Sequence, residues 1–399
     1  MTTTSATTPT VPKLCHISRS TQRGVTNLKP RKKSMDFIRT MTGCFMMEVS
    51  DKSQKVVEIV KVNGAHKLPD HLVVMVNGII GSASDWRYAA KEFVKSHPDN
   101  VIVHCSECNS SMLTFDGVDM MGERLAEEVV DVIKRLPGVK KISFVAHSLG
   151  GLVARYAIGR LYACDVLSCS TPAVENTSVE YQMSYEARIA GLEPMNFVTF
   201  ATPHLGSRGH KQLPLLCGFP LLEKGATQTA HWIAGRSGKH LFLTDNDDGQ
   251  RPLLIRMVND DDNIKFMSAL GSFKRRVAYA NVNYDYVVGW GTSSIRHHLE
   301  LQMLNHVEEN QKYPHIVHAE RGSTEIMKAG SSSSLGRIMT DMEEEMFRGL
   351  SQVPWERVDV SFRKSSQRFV AHNTIQVQNY WMNSDGADVV LHMIDHFRL

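Results

Sequence analysis

A serine, an aspartate and a histidine stand far apart in this chain, each where its chemistry could be put to use. Ser148 lies in Ala146-His147-Ser148-Leu149-Gly150-Gly151. Before it comes a short apolar run, Ile142 to Val145, and after it a helical pattern with Leu149, Leu152, Val153, Tyr156 and Leu161 on one side. Strand, tight turn of small residues around a serine, then helix is the context of a nucleophile elbow. The turn must be tight so that the Ser148 hydroxyl stands clear of the backbone. Residues two before and two after must be small, because strand and helix pass close there; Ala146 replaces the usual first glycine. The competing reading is a buried strand followed by a helix-capping serine. The five-residue pattern alone does not separate the two, because a motif needs its context.

A serine hydroxyl is a poor nucleophile until a base takes its proton, and the base needs a third group to hold it. In the chain order serine, acid, histidine, the acid would follow a later strand. The strand read at Asn196 to Phe200 is followed by ATPHLGSRGHKQ, with no acid nearby. The strand read at Arg276 to Ala280 is followed by Asn281-Val282-Asn283-Tyr284-Asp285, which sets Asp285 in a loop at a strand's carboxyl end. Open α/β sheets carry their sites there. Behind the last strand, Arg357 to Phe362, a loop holds Ala371-His372-Asn373, which makes His372 the base. His392 and His396 lie four apart with Asp388 along the polar edge of the last helix and are read as solvated; His297, His298, His315 and His318 fall in an insertion. A developing oxyanion needs backbone N–H donors. The Leu149 N–H is one. The other is assigned to Ile79, after Gly78, whose lack of a side chain allows close approach.

These residues need a scaffold to converge. His71 to Val76 is a continuous apolar run, the mark of a parallel strand buried on both faces. A helix is predicted over Ser84 to Lys95, with Trp86, Ala89, Ala90 and Phe93 facing in, then a strand over Val101 to Val103. Val118, Met121, Leu125, Val129, Val132 and Leu136 recur at helical steps, with Asp131 and Arg135 as an i,i+4 pair. Lys55 to Val62 reads as an opening strand, and the last helix runs from Gly386 to Phe397. This alternation predicts an α/β fold: a mostly parallel sheet with helices on both faces. Residues 163–194, 205–272 and 296–350 interrupt the rhythm and are read as cap or lid insertions. Within the second, Leu213 to Leu222 reads as a lid or acyl-binding wall, or else as ordinary core.

Composition sets limits. The 399 residues are 42% hydrophobic and 22% charged, an ordinary globular balance. A net charge of +3, without a basic stripe interleaved with aromatics, argues against nucleic acid. No apolar run approaches the roughly 20 residues of a membrane span, so membrane contact would be peripheral. Residues 1–34 carry seven Lys or Arg and no acid, and the segment 1–50 is expected to be a disordered basic extension ahead of a hydrolase domain over 51–399. Seven scattered cysteines point to a reduced, cytoplasmic compartment, with a plastid transit peptide in residues 1–34 as the alternative. Cys105 and Cys108 form a CxxC without a zinc-spaced partner. Asp245 to Gly249 misses the calcium-loop register, and Gly235 to Lys239 misses the phosphate-loop spacing, so no metal, nucleotide or other cofactor is implied.

Six blocks, VNGIIGSASDW, FVAHSLGGLVARYAIG, FATPHLGSRG, GRSGKHLFLTD, ANVNYDYVVGW and QVPWERVDVSF, together resemble the plant putative serine esterase family, which is lipase-like and of α/β-hydrolase fold. The resemblance runs from about residue 65 to the C-terminus. It implies hydrolysis of carboxylic esters, acylglycerols or phospholipids among them, at Ser148. Asn77 stands where lipases often carry His. Two alternatives stay open: acyl transfer with the same three residues, and a non-catalytic ligand-binding protein on this fold. Acyl chain, headgroup and oligomeric state are not legible.

Overall fold

The computed structural model describes residues 69–166, 185–207, 235–246, 249–297, 300, 310–320 and 341–399, with backbone alone for 164–166 and 185–186. The N-terminal extension, the Lys55–Val62 strand, His298 and the Leu213–Leu222 run lie outside these residues.

The apolar runs become strands β1 (His71–Val76), β2 (Val101–Cys105) and β3 (Lys141–His147). A hairpin of β4 (Tyr162–Val166) and β5 (Tyr185–Ile189) follows, then β6 (Glu193–Phe200), β7 (Arg275–Asn281), β8 (Ile316–Glu320) and β9 (Glu356–Val360). Seven of them make one sheet in the order β2-β1-β3-β6-β7-β9-β8, parallel except for β8, which pairs antiparallel with β9. From β1 the chain steps outward to β2. It returns on the other side of β1 as β3 and continues outward through β6, β7 and β9. That reversal opens a crevice at the carboxyl ends of β1 and β3. Val76 pairs with Ala146, so the residues leaving each strand, Asn77-Gly78 and His147-Ser148, reach the same edge together.

Successive strand residues point to opposite faces, and both faces are covered. Leu72, Val74 and Val76 of β1 join one core; Val73 and Met75 join the other. The first core includes helix α2 (Val118–Arg135) and helix α3 (Leu149–Leu161), and the second includes α1 (Arg87–Ser96). Three later helices complete the layers: α4 (Phe266–Ser272) and α5 (Asp341–Leu350) on the first side, and α6 (Ala387–Asp395) on the second. From Leu149 to Gly159, α3 is buried on every side rather than along one stripe.

The structure adds several features and corrects two expectations, the Asp131–Arg135 pair and the solvated His392. The strand β8, in the third insertion, was not read from the sequence; it is short and only half-buried, so its alternation is faint. The described parts of the insertions pack into the body of the fold: Leu253, Leu254 and Ile255 are buried in the first core, as are Met346 and Leu350. Asp131 pairs with Lys134 at 3.0 Å, whereas Arg135 Nε donates to the Asp131 backbone carbonyl. His392 is not solvated. It is buried and hydrogen-bonded to the Tyr279 hydroxyl at 2.8 Å, and burial lowers its pKa from 6.5 to about 4. His396 is exposed, as read, and donates Nδ1–H to the His392 carbonyl. The stretch from Gly235 to His240 serves the start of α2: Ser237 Oγ accepts from the Gly117 N–H and His240 Nδ1 from the Val118 N–H, satisfying donors a helix start leaves open.

Candidate active site

Ser148 sits between β3 and α3 with φ 53° and ψ −129°, a backbone conformation that costs a non-glycine residue energy and is held by its surroundings. The Ser148 N–H donates to the Phe200 carbonyl of β6. The glycines beyond it answer to close neighbours. A Cβ on Gly150 would stand 2.5 Å from the Asn77 carbonyl oxygen and 2.7 Å from that of Val76, and one on Gly151 would stand 2.2 Å from Thr202 Oγ1. Ala146, by contrast, buries its methyl in the first core, which is why no glycine is required there.

His372 lies in the short helix Ala371–Thr374 after β9. Its Nε2 is 3.0 Å from Ser148 Oγ and its Nδ1 is 3.0 Å from Asp285 Oδ2. Asp285 leaves the end of β7. Its Oδ1 accepts the backbone N–H of Val287 and Val288, and its Oδ2 also accepts from Asn281 Nδ2. Burial alone would raise this carboxyl. The facing His372 ring and the donors from Asn281 and Val288 outweigh it and hold the pKa below its ordinary value. The loop behind Asp285 is tied to β9: Trp290 Nε1 and Arg296 both donate to the buried carboxylate of Asp359.

The loop after β1 passes close to the elbow. A Cβ on Gly78 would meet Ser148 Cβ at 2.9 Å and His147 Nδ1 at 3.2 Å. Asn77 spends its side-chain amide on the carbonyls of Gly78 and Asn109, so it offers no donor to the crevice. The Ile80 N–H donates to Thr114 Oγ1. Of the two residues read as oxyanion donors, Leu149 opens α3 directly after Ser148, at the positive end of that helix, and Ile79 follows Gly78, which lies against Ser148.

His147 was missed as a functional residue because a histidine beside a motif serine carries no signal of its own. It is buried, and its ring lies 4.7 Å from that of His372. Its Nε2 is 2.7 Å from the His372 carbonyl, and since a carbonyl only accepts, Nε2 carries the hydrogen. Burial, with the His372 ring second, lowers its pKa to about 3, so it stays neutral. Among the described residues no group of His, Cys, Asp and Glu is arranged to hold a metal ion.

The sheet order, the crevice at its reversal and the elbow after the interior strand β3 define an α/β-hydrolase fold. Residues 66–295 match the family described as "Putative serine esterase (DUF676)", and the chain belongs to it. Curated relatives include "Putative lipase C4A8.10" of Schizosaccharomyces pombe, 29% identical over 66% of this chain, and "Putative lipase ROG1" of Saccharomyces cerevisiae, 27% identical over 62%. The chain spans about a third of those relatives' own length, 30% and 32%. Similar solved structures include the lipase BlEst2 of Bacillus licheniformis in propeptide form (TM-score 0.31, 16% identity, 56% of this chain and 38% of that one). Phospholipase PlaB of Legionella pneumophila is another (0.31, 13%, 54% and 39%). The family match makes the chain a serine esterase family member, and the fungal relatives do not tie it to plants.

Proposed function

We propose that this protein is a serine carboxylic ester hydrolase acting on lipid esters through an acyl-enzyme on Ser148. The observation that carries the reading is the continuous hydrogen-bonded line Ser148–His372–Asp285, with 3.0 Å at each link. In the first half-reaction His372 Nε2 takes the Ser148 proton as Oγ attacks the ester carbonyl. The Ile79 and Leu149 N–H groups meet the oxyanion, and His372 returns the proton to the leaving alcohol as the C–O bond breaks. Water then repeats the sequence, with His372 as base, and frees the acid and Ser148. Asp285 stays ionised, fixes the Nδ1–H tautomer and steadies the imidazolium.

The relatives' names support a lipid ester as the substrate class. A cytoplasmic setting and a place among the plant members belong to the same reading and rest on cysteine content and the six sequence blocks. A hydrolysis series of p-nitrophenyl esters from acetate to palmitate, with Ser148→Ala and His372→Ala beside the native chain, tests the proposal. Each variant should lose at least about 10³-fold in kcat, and longer chains should be preferred. Unchanged hydrolysis in Ser148→Ala contradicts it. If added alcohol diverts most product from acid to new ester, the activity is acyl transfer; no turnover at all by the folded native chain favours a ligand-binding protein.

A further inference from the structure

Among the described residues most large exposed apolar side chains gather in the segments that leave the carboxyl ends of the strands, the edge that carries Ser148, with Met120 in the first turn of α2 and Leu391 and Leu399 as exceptions. Met112 (69% exposed) and Leu113 follow β2; Phe369, Val370, Trp381 and Met382 follow β9 on either side of His372. Trp381 is 88% exposed, yet its backbone is fixed, since Asn379 caps the turn by accepting the Trp381 N–H. The two segments after β9 are bolted together. Ser365 Oγ donates to Asp385, Gln367 Oε1 accepts the Asp385 N–H, and Gln367 Nε2 donates to Ser384 Oγ.

Charge on this stretch has one sign. From Ser361 to Ser384 the chain carries Arg363, Lys364 and Arg368 and no carboxylate; the next acid, Asp385, is engaged by Ser365. Arg368 lies over the Phe369 ring at 4.6 Å, so a cation and an apolar face are presented together. A rigid, exposed tryptophan among apolar neighbours is an unfavourable surface in water, and a contiguous patch of this kind marks a contact site. Cations beside it match a negatively charged interface, where the apolar groups enter the acyl boundary and the arginines meet lipid phosphates.

We propose that the segment from Arg363 to Met382 docks this protein on anionic lipid surfaces, presenting the crevice at Ser148 to the bilayer. The inference deepens the lipid-ester reading above and rests on it for its purpose, but adsorption can be measured without turnover. The full chain is sedimented with large vesicles of phosphatidylcholine alone or with one third phosphatidylserine. Native protein should bind the anionic vesicles at least about tenfold better than the neutral ones and lose that binding at high salt. Trp381→Ala with Met382→Ser, and separately Arg363→Glu, should each weaken binding about tenfold or more while hydrolysis of p-nitrophenyl acetate stays unchanged. Equal binding to both vesicles, or native-level binding by both variants, overturns the proposal. So does a concentration-dependent dimer that Trp381→Ala dissolves without any vesicle binding, which would assign the patch to a second copy. Vesicle binding without ester hydrolysis would leave the docking surface standing and remove the hydrolase reading alone.

Discussion

At Asp285 burial and hydrogen bonding pull in opposite directions, and hydrogen bonding with the His372 ring prevails. The carboxylate is therefore ionised at neutral pH, and its 3.0 Å bond to Nδ1 leaves His372 Nε2 facing Ser148. Asp285→Asn should keep the chain folded yet lower kcat by about 10³–10⁴ with little change in KM, as expected for a wrong tautomer. Steady-state kinetics beside a thermal melt check this; a loss confined to KM would speak against it. His147 acts one step further out, as a positioning residue whose Nε2–H holds the His372 carbonyl. His147→Phe should cost roughly tenfold in kcat, in line with one lost hydrogen bond of about 1–1.5 kcal/mol, and His147→Gln, which keeps a donor, should recover part of it. Equal kcat in native and Phe forms would remove that role. The convergence of Ser148, His372 and Asp285 is legible in the sequence because each follows a strand in the right chain order. His147 is not, because its role depends on a contact across 225 residues of sequence.

The elements around the site leave little room. Gly150→Ala would press its methyl against two backbone carbonyls of the β1 exit, which cannot rotate away. It should destabilise the fold by about 1–3 kcal/mol, whereas Gly138→Ala, with no atom within 4 Å, should be neutral. Urea melts of the two separate these outcomes, and equal stability would contradict the close crossing of β1 and α3. Beneath the acid loop, Asp359 holds Trp290 and Arg296. Asp359→Ala would take from the buried Arg296 guanidinium its two short hydrogen bonds, leaving Glu320 at 3.6 Å, and should cost about 3–5 kcal/mol; a melt shifted by less than a third of that would show the pair to be dispensable. Parallel strands read clearly from their unbroken apolar runs, β1 above all, as did the helix α2 from its period. The edge strand β8 and the hairpin of β4 and β5 did not, since none of these strands carries an unbroken apolar run. The role of His240 and Ser237 at the start of α2 was likewise hidden, because the donors they meet lie more than a hundred residues earlier.

For the whole molecule, buried histidines set the response to acid. Burial lowers the pKa of His71 and His392 from 6.5 to about 4 and of His147 to about 3. Each is neutral in the native state, while in the unfolded chain each binds a proton below about 6.5. The unfolded state thus binds more protons as pH falls, so the stability these groups contribute is present above 6.5 and drains away toward 4. The slope is about 1.4 kcal/mol per pH unit for each group inside that window. Melting temperature should fall steadily between pH 6.5 and 4.5 and change little between 7 and 8; a flat profile across the acid window would contradict these burials. The solvated place expected for His392 fails for a physical reason: its position on the helix edge is visible in the sequence, but Tyr279, which covers it, lies 113 residues away.

Everything proposed for this site requires Ser148 to be an activated nucleophile. Labelling of the full chain with a fluorophosphonate, read by intact mass and by mapping the adduct, asks this without knowledge of the substrate. One adduct is expected, on Ser148, absent from Ser148→Ala and from His372→Ala. A folded native chain that takes no label, or an adduct on any other residue, would contradict it.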